Sequence, residues 1–261
     1  MDKRISTLMT VFNAENFISQ SIKSILSQTH KNFEFIIIDD FSDDSSAKII
    51  NEFKDDRIKF FKLEKKLGRT KALNYGLKKC TSDFIAVQDA DDISESNRFS
   101  ESLRILNNNQ DVGLVFGDYK LINETNSPID KKFKISKEKN IFSIIKYLNF
   151  VAHSSVLFKK NLLKDLQSYD ENFLYAQDYN LILRFLRDSK IQFINKHLIS
   201  LRYHKNNMSN IKIYKKTRII ENIKLLEFSR KNFKNNLKEI FLINFYKIKN
   251  YCKLILYYLG V

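Results

Sequence analysis

The chain has 261 residues, a formal net charge of +15, 43% hydrophobic residues, 5 Gly and 1 Pro. That is enough apolar side chain to bury a substantial core, and the composition excludes fibrous and disordered chains. Two distant cysteines, Cys80 and Cys252, supply neither a disulfide framework nor a zinc site, so the expected setting is reducing and cytoplasmic.

Ile5 to Phe12 reads as a short strand and not as an apolar leader, so no secretory signal is expected. Phe17, Ile18, Ser21, Ile22, Ile25 and Leu26 recur at helical spacing and predict a helix between Ala14 and Gln28. Phe33 to Ile38 is a near-continuous apolar run, the pattern of a parallel strand covered on both faces, and it ends in Asp39 and Asp40. A helix started by Ser42 or Asp43 follows, with Ile49, Ile50 and Phe53 as its buried face. Strands over Arg57 to Lys62, Phe84 to Gln88 and Val112 to Phe116 alternate with helices over Thr70 to Lys79 and about Glu95 to Leu106. Such alternation predicts a layered α/β domain with a mostly parallel sheet flanked by helices.

From Leu121 to Asn140 the pattern weakens around Pro128, which predicts a loop. Extended segments over Ser154 to Phe158, Gln192 to Ile194 and Ile199 to Tyr203 frame a helix over Asp178 to Leu186. Beyond Asn210 the texture becomes helical and basic. Residues 211–261 hold ten Lys and two Arg against three Glu, which is +9 of the +15. Leu237, Ile240, Phe241, Ile248, Cys252, Ile255 and Leu259 can share one face of a helix there. Two compatible readings stand: a helical hairpin packed on the preceding domain, and a basic amphipathic surface lying on anionic lipid. No run of about 18 apolar residues is available to span a bilayer.

The chemistry gathers where strand patterns end. Gln88 is followed by Asp89-Ala90-Asp91-Asp92, a poor way to build a core. Alternate residues of an extended segment point the same way, so Asp89 and Asp91 can converge on one hard cation shared with a nucleotide diphosphate. The alternative is an acidic turn in which Asp92 or Ser94 starts the next helix. Ligands of open α/β sheets collect outside the carboxyl ends of strands, and Thr10 with Asn13 and Asp39 with Asp40 occupy two more such ends.

These pieces resemble family 2 glycosyltransferases. The likeness runs through residues 6–13, Ser24 to Thr29, Phe35 to Asp43, the Leu67-Gly68 to Asn74-Tyr75-Gly76 segment, and Gln88 to Asp92, in the family's order. It implies the GT-A fold, a nucleotide-sugar donor such as a UDP-hexose or UDP-N-acetylhexosamine, and inversion at the transferred sugar. By the same resemblance, Thr10, Asn13 and Asp40 belong to the nucleotide site, and Arg69 or Lys71 offsets phosphate charge. Asp89 meets the ribose or the metal shell, and Asp91 ligates Mn2+ or Mg2+. Asp178 is the base that deprotonates a glycan or lipid-linked acceptor. Gln177 stands where many relatives have Glu, so one carboxylate of that acidic pair is missing. His153 is expected on the acceptor side, and Arg202 and His204 are phosphate or metal contacts. The catalytic domain would span 1–210, with about 1–117 as its nucleotide-sugar half and about 118–210 as its acceptor half, and 211–261 as a C-terminal extension. The implied setting is surface polysaccharide or lipopolysaccharide assembly at the inner face of a cytoplasmic membrane.

Other chemistries lack their residues. There is no Gly-x-Gly-x-x-Gly, no phosphate-binding P-loop, no Cys/His zinc cluster and no serine elbow. The net charge also admits a nucleic-acid binder, but the acidic lip at the strand ends repels a phosphate backbone, so no nucleic-acid partner is expected. A catalytically silent scaffold is the remaining alternative, raised by Gln177.

Overall fold

The protein is described from a computed structural model, which covers residues 3–130, 141–162, 168–205, 207 and 215–258. Strands β1 (Ile5–Val11), β2 (Phe33–Asp39), β3 (Ile58–Lys62) and β4 (Phe84–Asp89) run parallel, joined by α1 (Ile18–Leu26), α2 (Ser46–Glu52) and α3 (Arg69–Lys79). Next come β5 (Ile93–Ser94), α4 (Arg98–Asn108), β6 (Val112–Ile122), α5 (Ile141–Ile145), β7 (Leu157–Lys159), α6 (Gln177–Asp188) and β8 (Lys190–Arg202). Two helices, α7 (Lys215–Asn232) and α8 (Leu237–Tyr258), follow. The strand order is β3-β2-β1-β4-β7-β6-β8-β5, with β7 antiparallel to both β4 and β6, so the sheet is mixed.

The continuous apolar strands serve two cores at once. On one face Leu8, Ile36, Ile38 and Ile85 meet Leu73 and Leu77 of α3 and Leu181 and Phe185 of α6. On the other, Met9, Phe35, Ile37 and Ala86 meet Ile18, Ile22 and Ile25 of α1 and Phe99 and Leu103 of α4. Successive strand residues alternate between these layers, which is why no polar alternation shows in the sequence. Register then sets the site: Thr10 pairs with Asp89 and Val11 with Asp39, so the carboxyl ends of β1, β2 and β4 finish level with one another.

Several boundaries differ from the sequence reading. Helix α2 starts at Ser46, because Ser42 hydrogen-bonds Asp39 and the Asn13 N–H within a loop. Helix α4 starts at Arg98, since Ile93 and Ser94 pair with β8 as an edge strand. Ser154 belongs to a 3-10 turn over His153–Ser155, and β7 begins only at Leu157. The two short extended segments after Gln192 are one strand, β8, laid along a β6 that continues to Ile122. Irregular register between Gly117 and Tyr119 breaks the alternation that would have revealed this pairing. The expected loop after Leu121 is partly strand and turn, and its residues 131–140 lie outside the described residues.

Helix α8 opens with a capping box, in which Asn236 Oδ1 accepts from the Glu239 N–H and Glu239 Oε2 accepts from the Asn236 N–H, both at 2.9 Å. Glu239 and Ile243 are its buried residues. The apolar face foreseen from spacing is turned outward, with Leu237 86%, Phe241 67% and Ile248 62% exposed. Leu259 lies outside the described residues. No helix among the described residues is long and apolar enough to cross a membrane.

Candidate active site

A cavity of about 870 Å³ opens at the carboxyl ends of β1, β2 and β4 and is lined by Thr10, Asp40, Asp91 and Asp178 among others. Its size is within the range of ligand sites, roughly 300–1,000 Å³. The three carboxylates after β4 sit in three different environments. Asp89 is ion-paired with Arg69. Burial alone would raise its pKa, but Arg69 and His153 outweigh burial and hold the carboxyl well below the usual range. Asp92 is buried, accepts from Ser154 Oγ at 2.5 Å and from the Arg202 N–H at 2.9 Å, and is pushed upward by burial and by Asp91 and Asp89. Asp91 faces the cavity with Oδ2 2.9 Å from His204 Nε2 and 3.1 Å from Asn207 Nδ2.

Helix α3 enters this wall through Gly68, whose φ of +88° is a backbone setting that favours glycine. Asp40 accepts the N–H groups of Leu67 at 2.6 Å and Gly68 at 2.9 Å, which fixes that entry. Arg69, the first residue of α3, thereby reaches Asp89 and donates to His153 Nδ1 at 3.2 Å. His153 Nδ1 also lies 3.7 Å from Asp89 Oδ1, and its Nε2 is 2.9 Å from Tyr169 Oη. Burial opposes the charge on Arg69, and Asp89, Asp178 and Asp91 together more than offset it. Lys71 lines the cavity from an exposed position. Thr10 lines it from the end of β1. Asn13, at φ +52°, lines it too, but its side-chain amide is engaged with Asp43.

Asp178 also lines the cavity, from the first turn of α6, and Gln177 immediately precedes it. The Asn149 amide lies 3.4 Å from Asp178 Oδ2. Gln177 is buried, and its Oε1 has no hydrogen-bond partner among the described residues. Arg202 is turned away from the cavity: it donates to the main-chain oxygens of Asp91, Asn123 and Glu124 and to Gln20, and so braces the acidic loop from behind. Among the described residues no cluster of three or more acidic, His or Cys side chains surrounds a single metal position. The expected trio of Asp89, Asp91 and His204 is therefore not gathered; Asp91 and His204 are together, and Asp89 is held by Arg69.

The family model of Glycosyl transferase family 2 matches residues 6–167. The chain belongs to this family. An uncharacterized glycosyltransferase of Methanocaldococcus jannaschii is 36% identical over 223 residues, covering 81% of this chain and 76% of its own. Escherichia coli WfgD, a UDP-Glc:alpha-D-GlcNAc-diphosphoundecaprenol beta-1,3-glucosyltransferase, is 32% identical over 202 residues, covering 77% of each chain. TarS of S. aureus in complex with UDP-GlcNAc superposes with a TM-score of 0.74 over 92% of this chain and 70% of that one, at 18% identity. The mannosyltransferase PcManGT of Pyrobaculum calidifontis, in complex with GDP-Man and Mn2+, gives 0.70 over 96% and 72%, at 13% identity. At such identities these two likenesses establish the fold, which is GT-A.

Several residues that shape this glycosyltransferase's cavity had no signal in the sequence reading. Phe12 projects 42% exposed at the cavity wall with the Lys66 ammonium 3.3 Å from its ring centroid, a cation–π contact. Asn207 and the Phe17 ring flank His204. Arg98 is wholly buried beneath the acidic loop and donates to Gln88, Ser94 and the main-chain oxygens of Val87 and Val156. Burial lowers its pKa to about 9, against the pull of Asp89 and Asp92.

Proposed function

We propose that this glycosyltransferase is an inverting enzyme. It moves a hexose or N-acetylhexosamine from a UDP-sugar to a hydroxyl of a glycan or lipid-linked acceptor, in surface polysaccharide synthesis. The observation that carries this is one cavity lined by Asp91 with His204 and by Asp178, with Arg69 close to both carboxylates. The UDP donor and lipid-linked acceptor are favoured by the name of the E. coli relative, and a UDP-GlcNAc complex exists for a neighbour of the same fold.

In the reaction the acceptor oxygen attacks the anomeric carbon and its proton passes to an Asp178 oxygen. The bond from that carbon to the phosphate oxygen breaks, and its electron pair leaves on the nucleoside diphosphate. Arg69 is drawn by Asp89, Asp178 and Asp91 to a place where its positive charge can meet diphosphate oxygens. Thr10, Asp40 and Phe12 enclose the nucleobase end, with Asp40 holding the Leu67 and Gly68 N–H groups in place.

The donors present suit Mg2+ or Mn2+ shared with a diphosphate, because such ions bind through one or two carboxylates and fill their remaining positions with phosphate and water oxygens. Asp91 would hold it, with His204 beside it. When bound, it would supply charge stabilisation to the departing diphosphate.

The test is UDP release from a panel of UDP-sugars with Mn2+, in the wild type, Asp91→Ala and Asp178→Asn. Loss of the base is expected to lower kcat by on the order of 10²–10⁴. Loss of Asp91 is expected to remove the metal-dependent thermal shift given by UDP. Unchanged turnover in both folded variants would end the proposal. The outward face of α8, flanked by Lys238, Lys249 and Lys253, further supports peripheral contact with the anionic inner face of a cytoplasmic membrane.

A further inference from the structure

One carboxylate outside the cavity reaches its catalytic wall. Glu221 lies on α7, is 2% exposed, and accepts three consecutive main-chain N–H groups. Leu174 donates to Oε1 at 2.7 Å, while Tyr175 and Ala176 donate to Oε2 at 3.0 and 2.9 Å. Those residues lead directly into α6, two positions before Asp178. The N-cap residue of α6 is Ala176, which has no side chain able to cap. The first N–H groups of a helix need acceptors and favour negative charge. Glu221 accepts the N–H of the N-cap residue and of the two residues before it, and so places its carboxylate at the N-terminal end of α6 from a helix 45 residues away in sequence.

The same segment is fixed from the donor wall. Thr70 Oγ1 donates to the Phe173 oxygen at 2.7 Å, and the Asn74 amide exchanges hydrogen bonds with the main chain of Tyr169 at 2.8 and 2.9 Å. The stretch before α6 is thus held at one end by α3, which also carries Arg69, and at the other by α7. We infer that Glu221 is a positioning residue for the transfer reaction: it sets the entry of α6 and with it the place of the Asp178 carboxylate. This inference rests on Asp178 being the base.

The experiment compares wild type, Glu221→Gln, Asp178→Asn and the double variant, using UDP-glucose and UDP-GlcNAc with Mn2+ and reading UDP release. Amide hydrogen exchange at residues 174–176 is followed in parallel. Glu221→Gln keeps the volume but places an amide NH2 against N–H donors. It is expected to raise exchange at 174–176 at least tenfold, with exchange in β1 and β4 unchanged. Its kcat is expected to fall at least tenfold, with the donor KM within twofold. In the Asp178→Asn background the same substitution is expected to lower kcat by less than twofold, because residues acting through one group are not additive. A Glu221→Gln enzyme with kcat within twofold of wild type would overturn the inference. So would a tenfold loss that persists in the Asp178→Asn background, or a loss in which the donor KM, β1 exchange and kcat all change together. Wild-type turnover in Asp178→Asn alone would instead remove the base assignment, and the positioning role with it.

Discussion

Glu34 offers a quantitative test of how the sheet is held at the end opposite the cavity. Its side chain is wholly buried at the start of β2. Oε1 accepts from Ser6 Oγ at 2.6 Å, the Thr81 N–H at 2.7 Å and Thr81 Oγ1 at 2.8 Å, while Oε2 accepts from Lys59 at 2.7 Å. Burial alone would raise its pKa, but Lys59, Ser6 and Thr81 outweigh burial and bring it from 4.5 to about 2. The folded chain therefore holds this proton less tightly than the unfolded chain. The resulting stability is fully present above pH 4.5 and is lost as pH falls toward 2. At about 1.4 kcal/mol per pH unit the interval is worth about 3 kcal/mol, a large share of the roughly 5–15 kcal/mol that keeps a domain folded. Urea unfolding of wild type and Glu34→Gln is expected to show a gap of about 3 kcal/mol at pH 7 that closes near pH 2. UDP release by the folded variant should stay within twofold of wild type. A gap under about 1 kcal/mol at pH 7, or one equally large at pH 2, would refute the reasoning.

Three further outcomes follow from the packing. Arg98→Met removes a buried cation beneath Asp92 together with its hydrogen bonds to Gln88, Ser94 and the Val87 and Val156 oxygens, so chemical unfolding should register a loss of roughly 3–5 kcal/mol. Gly76→Ala would drive a methyl into Leu8 Cδ1, with Ile38 Cγ1 3.0 Å away, and thermal unfolding should show a loss of roughly 1–3 kcal/mol. The pair Phe241→Asp and Ile248→Asp, placed on the outward face of α8, should abolish sedimentation with phosphatidylglycerol vesicles while leaving UDP release within twofold; undiminished vesicle binding would refute the membrane role of that face.

Strand β2 was legible because a parallel strand covered on both faces reads as a near-continuous apolar run, and Phe33 to Ile38 is interrupted by Glu34 alone. The pairing of β6 with β8 was not legible. It is irregular between Gly117 and Tyr119, and no local pattern announces a partner some 80 residues away. Helix α8 shows a different limit. Spacing correctly grouped Leu237, Phe241, Ile248 and Ile255, but periodicity reports only that residues share a face, not that the face is covered, and here it is open. Glu221 had no signal at all, since its three partners are main-chain N–H groups that any sequence at 174–176 would supply.

Within the acidic loop the residue pattern alone placed three carboxylates together, and it was the family resemblance that gave Asp89 and Asp91 separate work. Their neighbours in the structure separate all three. Arg69 keeps Asp89 charged, and exchanging that partner would strand a largely buried anion. Asp92 is pushed toward its neutral form by burial and by the two other carboxylates, and its oxygens are tied to Ser154 and Arg202, so it braces the loop. Asp91 alone is joined to the wall by His204 and Asn207, on the edge of the cavity, where partners can be exchanged without leaving a charge unpaired in the core. A set of like charges separated in this way by environment is the arrangement from which distinct chemical roles arise. Among the three, Asp91 is the carboxylate whose contacts can be exchanged at least cost, which favours it for the proposed role of holding a cation.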